Sequence, residues 1–265
     1  MRVYILLILS LLALAACSKA DYTTDAAHSE TSFYNASHTL DSWLPQSSNA
    51  GQQVTISLTS GNVKASQPRF WTGADGARQD YPAVNWLFPA PWIVFEHYTP
   101  GTYKAQAWLS ADAGPLFDFT LNMEQGKRTT LFLSDSLGSF RSTAVTHESV
   151  SVTNKVRLRM VQLCPDADSV NLRIGANVTS LRNLPYGSVS TYAEWPAATD
   201  TLLKLRLFNA RDTMNVIGRY DLNASPGQSY LLVLWNYRNA HQYKDSKGNT
   251  VNILAGATLD VRKTE

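Results

Sequence analysis

The sequence predicts an all-β protein built as two tandem antiparallel β-sandwiches, on three observations. From Val54 onward, apolar residues recur in short runs of period two broken by Gly, Pro, Asn and Asp, and no segment keeps a helical period bounded by caps. Features of the first half return in the second at an offset of about one hundred residues. The composition, 17% charged and 11% aromatic in 265 residues with a formal charge of +2, suits a buried core. It excludes a strongly basic nucleic-acid-binding chain and an acidic solvated one, so no nucleic-acid partner is expected.

The chain opens with Arg2, an apolar stretch from Val3 to Leu9, and Leu11 to Ala16 before Cys17. A charged start, a short apolar region and small residues before a cut read as a secretory signal over 1–16 rather than a spanning helix. Leu14-Ala15-Ala16-Cys17 resembles the lipobox of bacterial lipoproteins. That resemblance implies that Cys17 is acylated, begins the mature protein and anchors it to a membrane, several acyl chains being needed for stable attachment. Ser18-Lys19 lacks an inner-membrane retention Asp, which favours the outer membrane; whether the body faces the periplasm or the outside is open. Residues 17–53, rich in Ser, Thr, Asn and Asp, read as the lipidated cysteine and a flexible tether. Within it Phe33-Tyr34 and Trp43-Leu44 suit either docking on the body or a short helix.

The first sandwich is expected over 54–140. Val54 to Leu58, Tyr103 to Leu109 and Phe117 to Leu121 alternate, and Thr129 to Leu133 is a continuous apolar run. A linker is expected at 141–154 and the second sandwich at 155–238. Val156 to Met160 answers Val54 to Leu58, Lys204 to Phe208 answers Lys104 to Trp108, and Leu231 to Leu234 answers Leu131 to Leu133. Glu124 to Arg128 and Ser225 to Ser229 are matching turns. The unit is an immunoglobulin-like or transthyretin-like sandwich. Residues 239–265 read as a hairpin around Asp245 to Asn249 with extra strands at Thr250 to Leu254 and Thr258 to Val261.

The stretch Val156 to Leu172, with its Cys164-Pro165-Asp166-Ala167-Asp168 turn, resembles the opening of the domain of unknown function 4397. Leu184-Pro185-Tyr186-Gly187 followed by Ser188 to Tyr192 is similar to that family's second hallmark, a Tyr-Gly turn before an aromatic strand. The likeness covers roughly 156–237, and a more divergent copy keeps Tyr98 to Tyr103. It departs at Leu163-Cys164 and at Pro196 to Thr199. The resemblance implies a secreted or surface β-sandwich and brings no catalytic residues.

The chemistry-bearing motifs are sparse. No Gly-x-Ser-x-Gly elbow occurs, His147-Glu148 lacks a second His in register, and Gly126 to Thr129 lacks the upstream glycine of a phosphate loop. With Cys17 acylated, Cys164 has no disulfide partner and reads as a small buried apolar residue. Pro165 to Asp168 is a turn with a mechanism, proline fixing φ and Asp bonding its own backbone. A calcium loop on Asp166 and Asp168 is disfavoured because Asn177 stands where the twelfth-position acid belongs. Asp135-Ser136-Leu137, Asp168-Ser169-Val170, Asp200-Thr201-Leu202 and Asp212-Thr213-Met214 resemble the O-glycosylation sequon of Bacteroidota.

The aromatic density from Trp71 to Tyr103 carries two readings that the sequence leaves open. Trp71, Trp86, Trp92 and Tyr98 suit a ligand face on which sugars stack, and the same rings suit a sandwich core or interdomain seam. The expectation is a non-catalytic cell-envelope lipoprotein that binds a glycan or a protein, with no metal or cofactor. The alternative is a structural or assembly subunit, fimbria-associated or part of an envelope complex, pairing through sheet edges.

Overall fold

The computed structural model describes residues 28–37, 39, 55–60, 63–64, 71–72, 78–79, 95–108, 115, 117–245 and 248–264. Within them the strands β1 to β22, numbered in chain order, include four sheets that stack face to face. Sheet I runs β3 (Val63–Lys64), β2 (Thr55–Ser60), β7 (Gly101–Trp108), β8 (Phe117–Met123). Sheet II runs β10 (Ser139–His147), β9 (Arg128–Ser136), β1 (Ser29–Asn35), β6 (Glu96–Tyr98). Sheet III runs β15 (Ser188–Val189), β11 (Lys155–Leu163), β19 (Ser229–Trp235), β22 (Thr258–Lys263), and β16 (Ala193–Pro196) also pairs with β11. Sheet IV runs β13 (Asn177–Val178), β12 (Ser169–Ile174), β17 (Thr201–Asn209), β18 (Asp212–Ala224), and β14 (Leu184–Pro185) also pairs with β12. Two separate pairs are β4 (Trp71–Thr72) with β5 (Arg78–Gln79), and β20 (His241–Lys244) with β21 (Thr250–Ile253).

Buried clusters fix the layer order. Leu58, Tyr103, Ala105 and Leu121 of sheet I meet Leu131 and Leu133 of sheet II. Tyr34, Phe132 and Val145 of sheet II meet Val161, Leu163, Leu231 and Val233 of sheet III. Leu158, Met160, Leu232 and Leu234 of sheet III meet Leu172, Leu205 and Leu207 of sheet IV. The stack is therefore I–II–III–IV: two sandwiches joined through their inner sheets. Strand alternation makes this possible, since Leu131 and Leu133 point one way from β9 and Phe132 the other. A strand buried on both faces reads as an unbroken apolar run, which explains Leu131 to Leu133 and Leu231 to Leu234.

Both sandwiches share one topology. β1 pairs in parallel with β9, and β11 in parallel with β19. The antiparallel set β2, β7, β8 corresponds to β12, β17, β18, and β10 to β22. The inner sheets are thus mixed rather than purely antiparallel. The repeat also registers differently at its start: the counterpart of Val156 to Met160 is β1, not Val54 to Leu58, whose backbone in β2 matches β12.

Two boundaries differ from the sequence expectation, and one expected extra strand pairs with the second sandwich. Ser29–Asn35, expected within the tether, is an internal strand of sheet II. Its polar residues hid it, because they are buried against partners rather than solvated: Ser32 Oγ bonds Thr130 Oγ1 at 2.8 Å, and Arg128 Nε donates to Glu30 Oε2 at 2.6 Å. Ser139–His147 carries the first sandwich past residue 140 and occupies much of the expected linker. Thr258–Lys263 is the edge strand that completes sheet III.

The seam between the sandwiches is apolar at its centre and hydrogen-bonded at its margins. Tyr34 Oη and Trp235 Nε1 both donate to Asp260 Oδ2, each at 3.1 Å. At another margin His147 Nε2 meets Thr130 Oγ1 at 2.8 Å, Phe95 lies edge-on to its ring at 5.6 Å, and its Nδ1 is buried without a hydrogen-bond partner. Burial, then the Arg128 and Arg159 charges, lower the His147 imidazole to about 4. The unfolded chain therefore takes up this proton first: the contribution of neutral His147 is full above about pH 6.5 and is lost as the pH falls towards 4. Urea unfolding is expected to show a loss on the order of 2 kcal/mol between pH 7 and 4.5 that is reduced in His147→Gln. An equal loss in both proteins would assign it to other groups.

Candidate functional site

The Pro165–Asp168 turn is a latch. Asp168 sits at φ 43°, a left-handed conformation that Asp tolerates. Asp166 accepts hydrogen bonds from the backbone N–H of Arg238 (2.7 Å) and Asn239 (2.8 Å) and from Asn239 Nδ2 (3.1 Å), and its Oδ2 lies 3.0 Å from His241 Nε2. Burial raises its pKa, but the bonds from His241, Arg238 and Asn239 outweigh that and hold the carboxyl below the usual range. Cys164 Sγ donates to Asp166 Oδ1 at 3.3 Å. Burial, then the Asp166 charge, push that thiol far above its ordinary value, so it is no thiolate at neutral pH. Cys, Asp and His meet here, yet His241 contacts the carboxylate and not the sulfur. The cluster ties the turn to the start of β20 rather than activating a nucleophile.

A second polar group closes the far end of sheet II. Asp135, 2% exposed, accepts from Ser37 Oγ, Thr39 Oγ1, the Gly138 N–H and Tyr237 Oη. Burial, then the Asp135 charge, raise the Tyr237 phenol well above the usual range, so it remains a donor. Nearby, the Tyr186-Gly187 turn docks on β9 and β10: Ser134 Oγ of β9 and Tyr186 Oη are 3.0 Å apart, and Arg141 Nη1 of β10 donates to Tyr186 O at 3.3 Å. Gly187 has φ 75°, a left-handed conformation that favours glycine, and the Arg141 guanidinium packs against its open side. The two motif turns of the second sandwich are thus joints, one to the C-terminal hairpin and one to the first sandwich.

A third arrangement is open. Between sheets III and IV of the second sandwich lies a recess of about 250 Å³, lined by Trp195 and Glu194 of β16, Thr179 and Ser180 after β13, Val178, and the core residues Leu158, Ile174 and Ala193. Thr179 Oγ1 is already committed to Leu172 O and to the Leu181 N–H. Ser180 is exposed, and Glu194 Oε2 pairs with Lys155 Nζ at 2.6 Å. That bond and the Lys155 charge hold the Glu194 carboxyl below its ordinary range. The recess is thus lined by a half-buried indole packed on the core, a carboxylate paired with Lys155, and a hydroxyl. It is smaller than the roughly 300–1,000 Å³ of drug-sized sites. Among the described residues, no group of three or more His, Cys, Asp or Glu side chains is placed to hold a metal ion.

The sequence-derived candidates fall elsewhere. Cys17, Trp86 and Trp92 lie outside the described residues, and Trp71 is described only as part of β4. Tyr98 ends β6 with its ring part-buried on the first core cluster, edge-on to Phe33 at 6.5 Å between centroids. Trp195, Glu194 and Ser180 were missed because β16 and the β13–β14 connection meet only in the folded sandwich.

No protein-family model matches the chain, and no curated protein matches it. A solved structure, the family CBM26 module CBMbc from Eubacterium rectale Amy13K in complex with maltoheptaose, aligns over 89% of this chain and 97% of its own. The identity is 12% and the TM-score 0.24, a likeness that carries no argument about function.

Proposed function

We propose that this protein is a non-catalytic, glycan-binding lipoprotein of the cell envelope. In this reading it is anchored in the outer membrane through acylated Cys17, and its second sandwich, over roughly 156–237, resembles the domain of unknown function 4397. The observation that carries the reading is the recess at Trp195. Sugars combine an apolar ring face with a rim of hydroxyls, and an indole beside a carboxylate and a hydroxyl answers both.

The test is a glycan array probed with the non-acylated protein spanning Ser18 to Glu265, with Trp195→Ala and a Trp86→Ala/Trp92→Ala pair alongside. Binding that Trp195→Ala weakens at least tenfold, about 1.4 kcal/mol, supports the recess. Binding abolished by the tryptophan pair instead moves the site to the first sandwich. An empty array sinks the glycan reading.

A second reading, assembly through sheet edges, is favoured by β18. This thirteen-residue edge strand exposes Met214, Val216 and Tyr220. A sedimentation measurement that finds a strict monomer at high concentration removes it.

A further inference from the structure

The solvent face of sheet IV carries a row of like charges. Arg173 of β12 lies directly opposite Arg206 of β17, and Arg206 directly opposite Arg219 of β18. Their neighbours along the strands, Leu172, Ile174, Leu205 and Leu207, point into the core, so the three arginines share the outward face. Lys204 stands on the same face opposite Asp221, the carboxylate of this surface. Arg206 Nη1 bonds that carboxylate at 2.7 Å, and Arg173 lies over the Phe208 ring at 4.6 Å. Arg219 is exposed and makes no hydrogen bond or ion pair among the described residues. Like charges directly opposite in a sheet destabilise it. A folded protein that keeps three in line has a surface suited to an anion.

The pattern indicates which anion. Adjacent strands lie about 4.8 Å apart, so the backbone positions of the three arginines form a line spanning about 10 Å across the sheet rather than a broad basic plane. A line of charges at that pitch fits an extended polymer bearing one anion per unit better than a membrane surface. Beside the charged row stand Asn171 on one side and Lys204 opposite Asp221 on the other, and Phe208 is buried under Arg173 instead of offering a stacking face to a nucleobase. Guanidinium binds carboxylate and sulfate through paired N–H donors.

We propose that the outer face of sheet IV binds an anionic polysaccharide, one with carboxylates or sulfates on successive sugars, along Arg173, Arg206 and Arg219. This surface is separate from the recess at Trp195 and is independent of whether that recess binds sugar.

The experiment is affinity electrophoresis of the non-acylated Ser18 to Glu265 protein through gels containing polygalacturonate, dextran sulfate or neutral dextran, with co-sedimentation on phosphatidylglycerol vesicles in parallel. Retardation by a charged polymer and not by neutral dextran is expected, weakening with salt. The Arg173→Ala/Arg219→Ala protein should lose at least tenfold in affinity, and the Arg173→Lys/Arg219→Lys protein should lose less. Polygalacturonate and dextran sulfate separate a carboxylate ligand from a sulfate one. Arg219→Glu is informative because a merely structural arginine would not behave as it should: retardation is expected to fall while the thermal midpoint stays or rises, a repulsive neighbour having been replaced. No retardation, equal retardation in neutral dextran, unchanged retardation in the alanine pair, or binding to vesicles alone overturns the proposal. Trp195→Ala should leave the retardation intact, which keeps failure of the recess distinguishable from failure of this face.

Discussion

A chain beginning at Gly51 should fail to fold its first sandwich, whereas one beginning at Ser18 should unfold cooperatively. The shorter chain lacks β1, which lies between β9 and β6 and supplies Phe33 to one core and Tyr34 to the seam. Losing one buried aromatic side chain costs about 3–5 kcal/mol, and a domain's whole stability is about 5–15 kcal/mol. Removing two aromatics together with both neighbouring ladders exceeds what the sandwich can spare. It also leaves Thr130, Arg128 and the inner edge of β9 without their β1 partners. Limited proteolysis should cut the Gly51 chain within the first sandwich, and hydrogen exchange should show β7 to β10 unprotected while β17 and β19 remain slow. Equal protection of β7 to β10 in the two chains would show that β1 is dispensable.

Asp135→Ala is expected to destabilise the protein by about 3–5 kcal/mol, the range for a buried charged group whose partners are left behind. The substitution removes the acceptor shared by donors from three parts of the chain at once: the hydroxyls of Ser37 and Thr39, the Gly138 N–H and the Tyr237 phenol, the last of which keeps its bond to the residue-135 carbonyl. Each buried unpaired group costs about 1–3 kcal/mol, and partial relaxation towards solvent keeps the sum below simple addition. Asp221→Ala is the control, since that acid bonds Arg206 on the exposed face. Exposed pairs contribute about 0–1 kcal/mol. Urea midpoints measured at one pH should separate the two variants clearly. A loss below about 1 kcal/mol for Asp135→Ala would mean that the N-terminal segment around Thr39 closes over the site without it.

The strands most legible in the sequence were those with one face in the core and one in solvent. Tyr103 to Trp108 and Lys204 to Phe208 alternate because sheets I and IV are the outer layers. The doubly buried β9 and β19 were equally legible as unbroken runs. β1 was not, because Ser29 to Ser32 are polar yet buried, and a composition rule reads such residues as solvated. The period read from the sequence therefore pairs the opening strand of the second sandwich with β2, whereas its structural counterpart is β1. Of the sites, the latch at Asp166 was legible as a turn, though its distant partners Arg238 to His241 were not. The recess at Trp195 and the arginine row come from strands far apart in sequence, so no local pattern announces either.

The parallel pairing of β1 with β9 has a mechanical consequence. A pull on the N-terminus enters β1 along its own axis, while the hydrogen bonds to β9 run across it. The rungs from Glu30 to Asn35 are then strained together in shear instead of being peeled open one at a time. Tension between the N-terminus and the second sandwich would thus meet the first sandwich in its stiffest direction.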